Sequence, residues 1–472
     1  MTHPRLRKTL VAAAVLAALA GGTALAVLAR DRREVTTTSA EAYRLYRKGL
    51  EEERRLYQRD ALAAYAKALE LDPHFTMATL RLAGILAGRD RERAQSLVQC
   101  TARNHGPLNE REELALAIYE AEVLHRDFKK SGELVKRYVE RFPDDPEGYF
   151  RLAGVLMREG KTEEMLATYE RLLALDPNQA SAYNSLGYHY IGRRDYVKAE
   201  DFLKRYRFLA PDQANPYDSL GELYANTGRY DESEEHLRRA LEIKPDFFPA
   251  IAHLGTVEAS RGNAEAAVAY FRRAVDLAES WKDKQNFTGA AAMSLLDAGR
   301  PDEAVTLLDE AGASAPAMPP REELAFRWHL GRSRATLLAL AGRPDEAEAG
   351  LASLPALPAE LDPKEKASYD HALLASRSAL AAARGDLEGA VAAIRAYLDA
   401  EKGMGSEGFS YYPSTFRLRA RLADALVKLG RPEEARAELR PVLAVNPRFS
   451  PALAVIARIE GRAEGAEGTA GR

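Results

Sequence analysis

Large apolar and small residues recur in the middle of the chain at the intervals expected of α-helices. In three stretches, an aromatic residue, a leucine, a small residue and a second large residue follow one another at intervals of three, one and three positions. These intervals place all four side chains on one face of a helix. Each stretch is therefore predicted to form a helix with one buried face. The sets are Tyr149, Leu152, Ala153 and Leu156; Tyr183, Leu186, Gly187 and Tyr190; and Tyr217, Leu220, Gly221 and Tyr224.

A second apolar stripe follows each set and predicts a second helix. The stripes are Met165 and Tyr169, then Ala199 and Leu203, then Ser233, Leu237 and Ala240; a fourth unit has Ile251, Leu254, Gly255, Ala267, Phe271 and Ala274. Prolines that cannot continue a helix end these second helices at intervals of 34 residues. They are Pro143, Pro177, Pro211 and Pro245. A fixed period of this length predicts helical hairpins stacked into a solenoid.

The segment from Glu147 to Ala278 resembles the tetratricopeptide repeat, with Tyr or Ile in place of the motif's usual Trp. The resemblance implies an all-α fold, a right-handed superhelical solenoid of helix-turn-helix hairpins. It also implies that the two helices of a hairpin approach most closely at small residues. Those residues are Gly187, Gly221 and Gly255.

The repeat pattern is looser on both sides of this segment. Helical hairpins are predicted before it, and we assign residues 40–279 to one regular array. Beyond it, Gly-Arg-Pro followed by two acids and Ala recurs at Gly299, Gly342 and Gly430, and predicts a left-handed glycine turn between helices. Residues 280–460 are therefore predicted to be a second, more divergent helical array. Residues 461–472 are predicted to be a disordered tail.

Residues 1–33 stand apart from the repeats. Basic residues flank an uncharged run from Thr9 to Ala29, and a helix of these 21 residues would rise about 31 Å, enough to cross a bilayer. The length and the arginines after the run favour a single-pass anchor, while Ala18-Leu19-Ala20 leaves a cleaved signal peptide as the alternative. A short basic tail normally stays in the cytoplasm, which places the repeats in the periplasm. A cytoplasmic location, or secretion after signal cleavage, remains the alternative.

Charge and cysteine content exclude several classes of protein. The chain of 472 residues has 67 Lys and Arg against 70 Asp and Glu, so its net charge of -3 gives no long-range attraction to nucleic acid. Cys100 is the only cysteine, which excludes an internal disulfide and a thiolate zinc site. We expect it to be a small core residue.

No group of residues predicts catalysis. The histidines His125, His189, His236 and His253 lie in different repeats, without a second ligand at helical spacing. The glycines lie at helix ends or close contacts and form no phosphate-binding loop. We therefore predict no catalytic residue, no metal, no cofactor and no small-molecule substrate, and the chain is interpreted as a non-enzyme.

The resemblance implies a concave groove lined by the first helix of each hairpin. Residues one step along from the packing stripe are expected to be exposed there and to bind a protein or peptide, which would meet an apolar end and an acidic end. Reversing the charges of Asp218 and Glu222 should then weaken binding and leave the fold intact. The predicted partner-binding residues are Phe150, Met157, Asn184, Tyr188, Asp218, Glu222, Asn226 and His253.

Two functional hypotheses follow. The first is a membrane-anchored scaffold that binds a protein partner, in bacterial envelope assembly or secretion. It resembles lipopolysaccharide-assembly scaffolds in its anchor and repeats, although those end in a four-cysteine metal knuckle that this chain lacks. The second is an accessory or sensory region of a signalling system, which would act with a separate kinase or cyclase.

Overall fold

The fold is a succession of antiparallel helical hairpins. The computed structural model describes residues 35–278, 280–314, 318–403 and 412–470, and every regular element in these ranges is helical. The chain divides into two compact units, of which the first ends at Arg158 and the second begins at Glu159. The predicted all-α fold is confirmed, whereas the superhelical handedness and the division into arrays at residue 280 stay predictions. The change of repeat length at that point falls inside the second unit.

The first unit holds seven α-helices within its described residues. They are α1 (Ala40–Arg54), α2 (Gln58–Leu71), α3 (Thr76–Leu86), α4 (Arg91–Arg103), α5 (Glu110–Tyr119), α6 (Phe128–Arg141) and α7 (Pro146–Arg158). One turn of π-helix, Glu120–Leu124, continues α5 and interrupts the regular helical pattern there.

The second unit continues the succession. Its helices are α8 (Thr162–Leu175), α9 (Ala180–Gly192), α10 (Tyr196–Leu209), α11 (Ala214–Asn226), α12 (Tyr230–Ile243), α13 (Phe248–Arg261), α14 (Ala264–Leu277), α15 (Trp281–Asp297), α16 (Pro301–Ala313), α17 (Pro320–Leu340), α18 (Pro344–Ala352), α19 (Pro363–Ala383), α20 (Leu387–Gly403), α21 (Tyr412–Lys428), α22 (Pro432–Val445) and α23 (Ser450–Ala470). Helix α23 extends through most of the segment predicted to be a disordered tail. In residues 461–470 the alanines and glutamates favour a helix and no proline occurs, whereas Gly461, Gly465 and Gly468 disfavour one.

The Gly-Arg-Pro turns are built as predicted. Gly342 has a φ of +76°, which a residue with a side chain adopts only with strain, and Pro344 begins the next helix. Arg343 pairs with Glu346 in that helix at 2.6 Å and with Asp302 of the preceding turn at 3.1 Å. The arginine of the motif therefore links two successive turns.

Gly221 marks the closest approach of α11 and α12. A Cβ atom there would lie 2.6 Å from Cδ2 of Leu237, and equivalent positions in two other hairpins, Gly187 and Gly255, are equally tight. The close contact predicted at these glycines is therefore present in the structure.

Replacing Gly221 by Leu is expected to lower the free energy of unfolding by about 1–3 kcal/mol, because the new side chain overlaps Leu237. The matched control is Gly289→Leu in α15, where nothing lies within 4 Å of the added Cβ. Chemical denaturation followed by circular dichroism measures both. Equal stability of the two variants would contradict the assigned contact.

The segment that leads into α1 is tied to the first unit. The backbone N–H and hydroxyl of Thr36 donate to the buried carboxylate of Glu112 at 2.6 and 2.7 Å. Thr37 and Thr38 donate to Asp72 at 2.6 and 2.9 Å. The segment before α1 is therefore fixed to the repeats from Thr36 onward.

Two further expectations have different outcomes. Cys100 was expected in the core but is exposed near the C-terminal end of α4. The buried face of this helix is formed by Ala94, Val98 and Thr101, and Cys100 lies on another face. The predicted anchor, residues 1–33, lies outside the described residues. Among the helices that are described, none is long and apolar enough to span a membrane.

Candidate partner-binding surface

Six of the eight predicted partner-binding residues lie in the second unit, on the first helices α9, α11 and α13. Positions about one repeat apart become neighbours there because α9 packs against α11 and α11 against α13. We call the surface formed by successive first helices the first-helix face. Five of the six residues take part in one hydrogen-bonded group. The sequence pattern had predicted separate, exposed side chains at these positions. We call this group the polar network; its members are Asn184, Tyr188, Asp218, Ser219, Glu222 and His253.

The link between α9 and α11 runs through hydroxyl groups. The hydroxyl of Tyr188 donates to Oε2 of Glu222 at 2.7 Å, and the two residues are 34 positions apart. Ser219 donates to Oδ1 of Asn184 at 3.1 Å. The period of the sequence therefore places complementary groups side by side on adjacent repeats.

The link between α11 and α13 is a histidine between two carboxylates. Nδ1 of His253 lies 2.8 Å from Oδ1 of Asp218, and Nε2 lies 3.9 Å from Oε2 of Glu222. The side chains of both His253 and Asp218 are buried. Three consecutive first helices are thus joined through one continuous polar contact.

The electrostatics of the polar network favour the protonated form of His253. Burial alone would lower the pKa of His253, but Asp218 and Glu222 outweigh it and raise this pKa to about 9. Burial raises the pKa of Glu222, although His253 and the bond from Tyr188 oppose that rise. Burial and the two nearby carboxylates also raise the pKa of Tyr188. At neutral pH the positive charge of the His253 imidazolium therefore offsets negative charge at Asp218 and Glu222, where the sequence predicted an acidic patch.

Three of the residues predicted to be exposed in the groove are buried. Asp218 is 3% exposed, while His253 and Asn226 are each 9% exposed, so these three residues do not present a free surface. Asp218 and His253 contact each other between α11 and α13, and single-helix periodicity does not report such a contact. Asn184, Tyr188 and Glu222 are half-buried. Whether any of the eight residues binds a partner stays a prediction.

Phe150 and Met157 lie on α7, in the first unit. Met157 is 46% exposed, and Phe150 is partly exposed. Phe128, at the start of α6, is also largely exposed and has the guanidinium of Arg158 5.6 Å from its ring centroid. The apolar character expected at these positions is therefore present on the surface of this unit.

A basic group on α15, α17 and α19 was missed by the sequence analysis. Arg332 donates weakly to Ser376 at 3.4 Å, and Ser376 also bonds to Thr336 at 2.7 Å. Burial lowers the pKa of nearby His329 to about 4, and Arg332 and Lys282 act in the same direction. We call this group the Arg332 cluster; its members are Lys282, His329, Arg332, Thr336 and Ser376.

The signal that could have identified this cluster is its repeat position. Counted back from the turn glycines, Arg332 lies ten residues before Gly342, as Asp218 lies ten before Gly228. The break in phase after Glu279 hid this equivalence. Among the described residues, no group of three or more His, Cys, Asp or Glu side chains is arranged to hold a metal ion.

Three family models match the sequence, and each is described as tetratricopeptide repeat. One matches residues 146–179, 214–247 and 248–280, the second matches 166–214 and 420–472, and the third matches 286–310 and 328–351. The matches include the divergent C-terminal array as well as the regular repeats. A comparison with curated protein sequences gave no match.

Solved structures with partial similarity include other repeat proteins. A tetratricopeptide repeat protein from Parabacteroides merdae is 16% identical, with 56% of this chain and 98% of that one covered at a TM-score of 0.41. PilW, a type IV pilus biogenesis factor, is 16% identical, with 44% and 94% covered and a TM-score of 0.38. YrrB, a repeat protein with an unusual peptide-binding site, is 21% identical, with 38% and 91% covered and a TM-score of 0.29. Similarities of this size carry no argument about the ligand of this chain. The family models, by contrast, match repeats on both sides of the phase break, and the chain belongs to the tetratricopeptide repeat family.

Proposed function

We propose that this protein is a non-catalytic scaffold that binds a protein or peptide partner on its first-helix face. The observation that carries the proposal is the group of half-buried polar and aromatic side chains on successive first helices, represented by Asn184, Tyr188 and Glu222. Such side chains keep hydrogen-bonding capacity and rigid contact area at the surface, and both favour peptide recognition.

The polar network supports a rigid surface. Its bonds fix Tyr188 and Glu222 in one arrangement before a partner arrives. A preorganised surface loses less conformational entropy on binding than a mobile one. The bound segment is therefore expected to change its conformation on binding, while the repeats keep theirs.

The membrane anchor completes the proposal. Residues 1–33 hold the protein to the membrane, with the repeats on the periplasmic side, and the partner belongs to envelope assembly or secretion. The uncharged run from Thr9 to Ala29 supports the anchor. The hydrogen bonds of Thr36 to Glu112 support a short, fixed connection between anchor and repeats.

Copurification tests this proposal against the signalling hypothesis. The full chain, tagged at its C-terminus, is extracted from membranes in detergent, and bound proteins are identified by mass spectrometry. Envelope-assembly or secretion components are the expected result, whereas a kinase or cyclase would favour the signalling role. A chain without residues 1–33 is expected to leave the membrane fraction and remain helical. Retention of that shortened chain in the membrane would contradict the anchor.

A further inference from the structure

Arg332 is poorly compensated on the first-helix face of α15, α17 and α19. Its side chain is half-buried, and its Nε atom is shielded from solvent and has no hydrogen-bond partner in the described ranges. Among the described residues, its two terminal nitrogens reach only the hydroxyls of Ser376 and Ser333, both at 3.4 Å. Neutral hydroxyls at that distance do little to offset the cost of desolvating a guanidinium.

The first unit shows how this chain compensates a shielded arginine. Arg81 lies between two carboxylates, at 2.8 Å from Glu147 and 3.4 Å from Glu53. Arg151 reaches the same Glu147 at 3.3 Å. These pairs supply the opposite charge that a poorly hydrated guanidinium requires. Arg332 has hydroxyls where these arginines have acids.

Lys282 adds positive charge near Arg332, and the neighbouring side chains are neutral hydroxyls. The exposed amine of Lys282 on α15 lies close enough to act on His329, as does Arg332. Thr336 and Ser376 place two hydroxyls beside the guanidinium; their oxygens are 2.7 Å apart, and the Thr336 hydroxyl donates to the backbone carbonyl of Arg332 at 2.8 Å. Among the described residues no carboxylate pairs with Arg332, and guanidinium and ammonium donors without an acid are a usual arrangement for recognition of an oxyanion.

We propose that the Arg332 cluster binds an oxyanion, either a carboxylate or a phosphate group. This deepens the proposed function and rests on it in one respect, since the group would be carried by the bound partner. Binding neutralises Arg332 and gives its nitrogens charged acceptors. An acidic or phosphorylated segment is thus the class of ligand that fits this part of the first-helix face.

The cluster can be tested with small anions, without any partner protein. The full chain in detergent is melted in sodium chloride, sodium acetate and sodium phosphate at equal ionic strength and pH. The expected result is a higher melting temperature in phosphate, or in both acetate and phosphate, than in chloride. A response to both anions identifies a carboxylate-type site, and a response to phosphate alone identifies a phosphate site. No response to either anion would overturn the proposal.

Three variants locate the effect. Arg332→Gln is expected to abolish the anion response, while Arg343→Gln, an equal charge change at a partly exposed and ion-paired arginine, should keep it. Lys282→Ala changes an exposed side chain and so preserves the fold, and it is expected to weaken anion binding about tenfold in calorimetry. Wild-type anion affinity in both Arg332→Gln and Lys282→Ala would contradict the assignment. Because no partner enters the assay, its outcome is independent of the copurification result.

Discussion

Replacing Asp218 by alanine is expected to lower the free energy of unfolding by about 3–5 kcal/mol, the cost of leaving a shielded charge without its partner. Asp218 is 3% exposed and holds Nδ1 of His253 at 2.8 Å. Without it, His253 must either lose its proton or remain charged beside Glu222 alone. Both outcomes weaken the contact between α11 and α13.

Denaturant titration at neutral pH measures this loss, and two variants control for it. Asp201→Ala removes the same group from an exposed position of α10 and should change stability by less than about 0.5 kcal/mol. Asp218→Asn keeps an acceptor without the charge and should lie between alanine and wild type. If Asp218→Ala is as stable as Asp201→Ala, the buried pair is not formed.

Stability is also expected to fall as the pH rises from about 6.5 to about 9. The pKa of His253 is raised to about 9 in the folded chain, above its ordinary value of 6.5. A group with a raised folded pKa contributes stability that is fully present below the unfolded pKa and is lost as pH passes the folded one. The raised pKa values of Glu222 and Tyr188 act in the same direction over their own ranges. The loss attributable to His253 is on the order of 2 to 3 kcal/mol.

Thermal melting across this pH range in constant salt measures the effect, and His253→Gln should remove most of the slope. The matched control, His105→Gln, changes an exposed histidine in the first unit and should retain the wild-type slope. A His253→Gln variant with an unchanged slope would show that this histidine does not carry the pH dependence.

The hairpins were predictable because their determinants are local. The close approach at Gly221 follows from one apolar stripe and one small residue, and both repeat in phase. The turn at Gly342 follows from glycine before arginine and proline. These features need only the periods of single helices and the 34-residue repeat.

The polar network was not predicted because it depends on pairs of residues. Asp218 and His253 are 35 positions apart, and Tyr188 and Glu222 are 34 apart, so each pair is consistent with the repeat. Reading each helix separately assigned all four side chains to solvent. Comparing equivalent positions of successive repeats for complementary charge would have found the contacts. The Arg332 cluster was not predicted for a related reason. The repeat position of Arg332 is clear only after the divergent array is aligned with the regular repeats by its turn glycines.

The burial of Asp218 also changes the experiment suited to the groove. Reversing its charge is now expected to destabilise the fold, so a loss of binding in that variant would not identify a contact. Positions with free surface are better probes. Met157 is 46% exposed, and Thr256, one repeat after Glu222, is partly exposed with its hydroxyl bonded within its own helix.

Site-specific photocrosslinking in cells tests the central claim, that a partner binds the first-helix face. A photoreactive residue is placed at Met157 or Thr256 on first helices, and at Val197 or Phe208 on the second helix α10. The α10 positions are more accessible, at 75% and 83% exposed, so accessibility alone favours them. The account predicts a protein adduct from Met157 in the first unit and from Thr256 in the second, each assessed separately, and none from α10. Adducts from Val197 and Phe208 alone would contradict it.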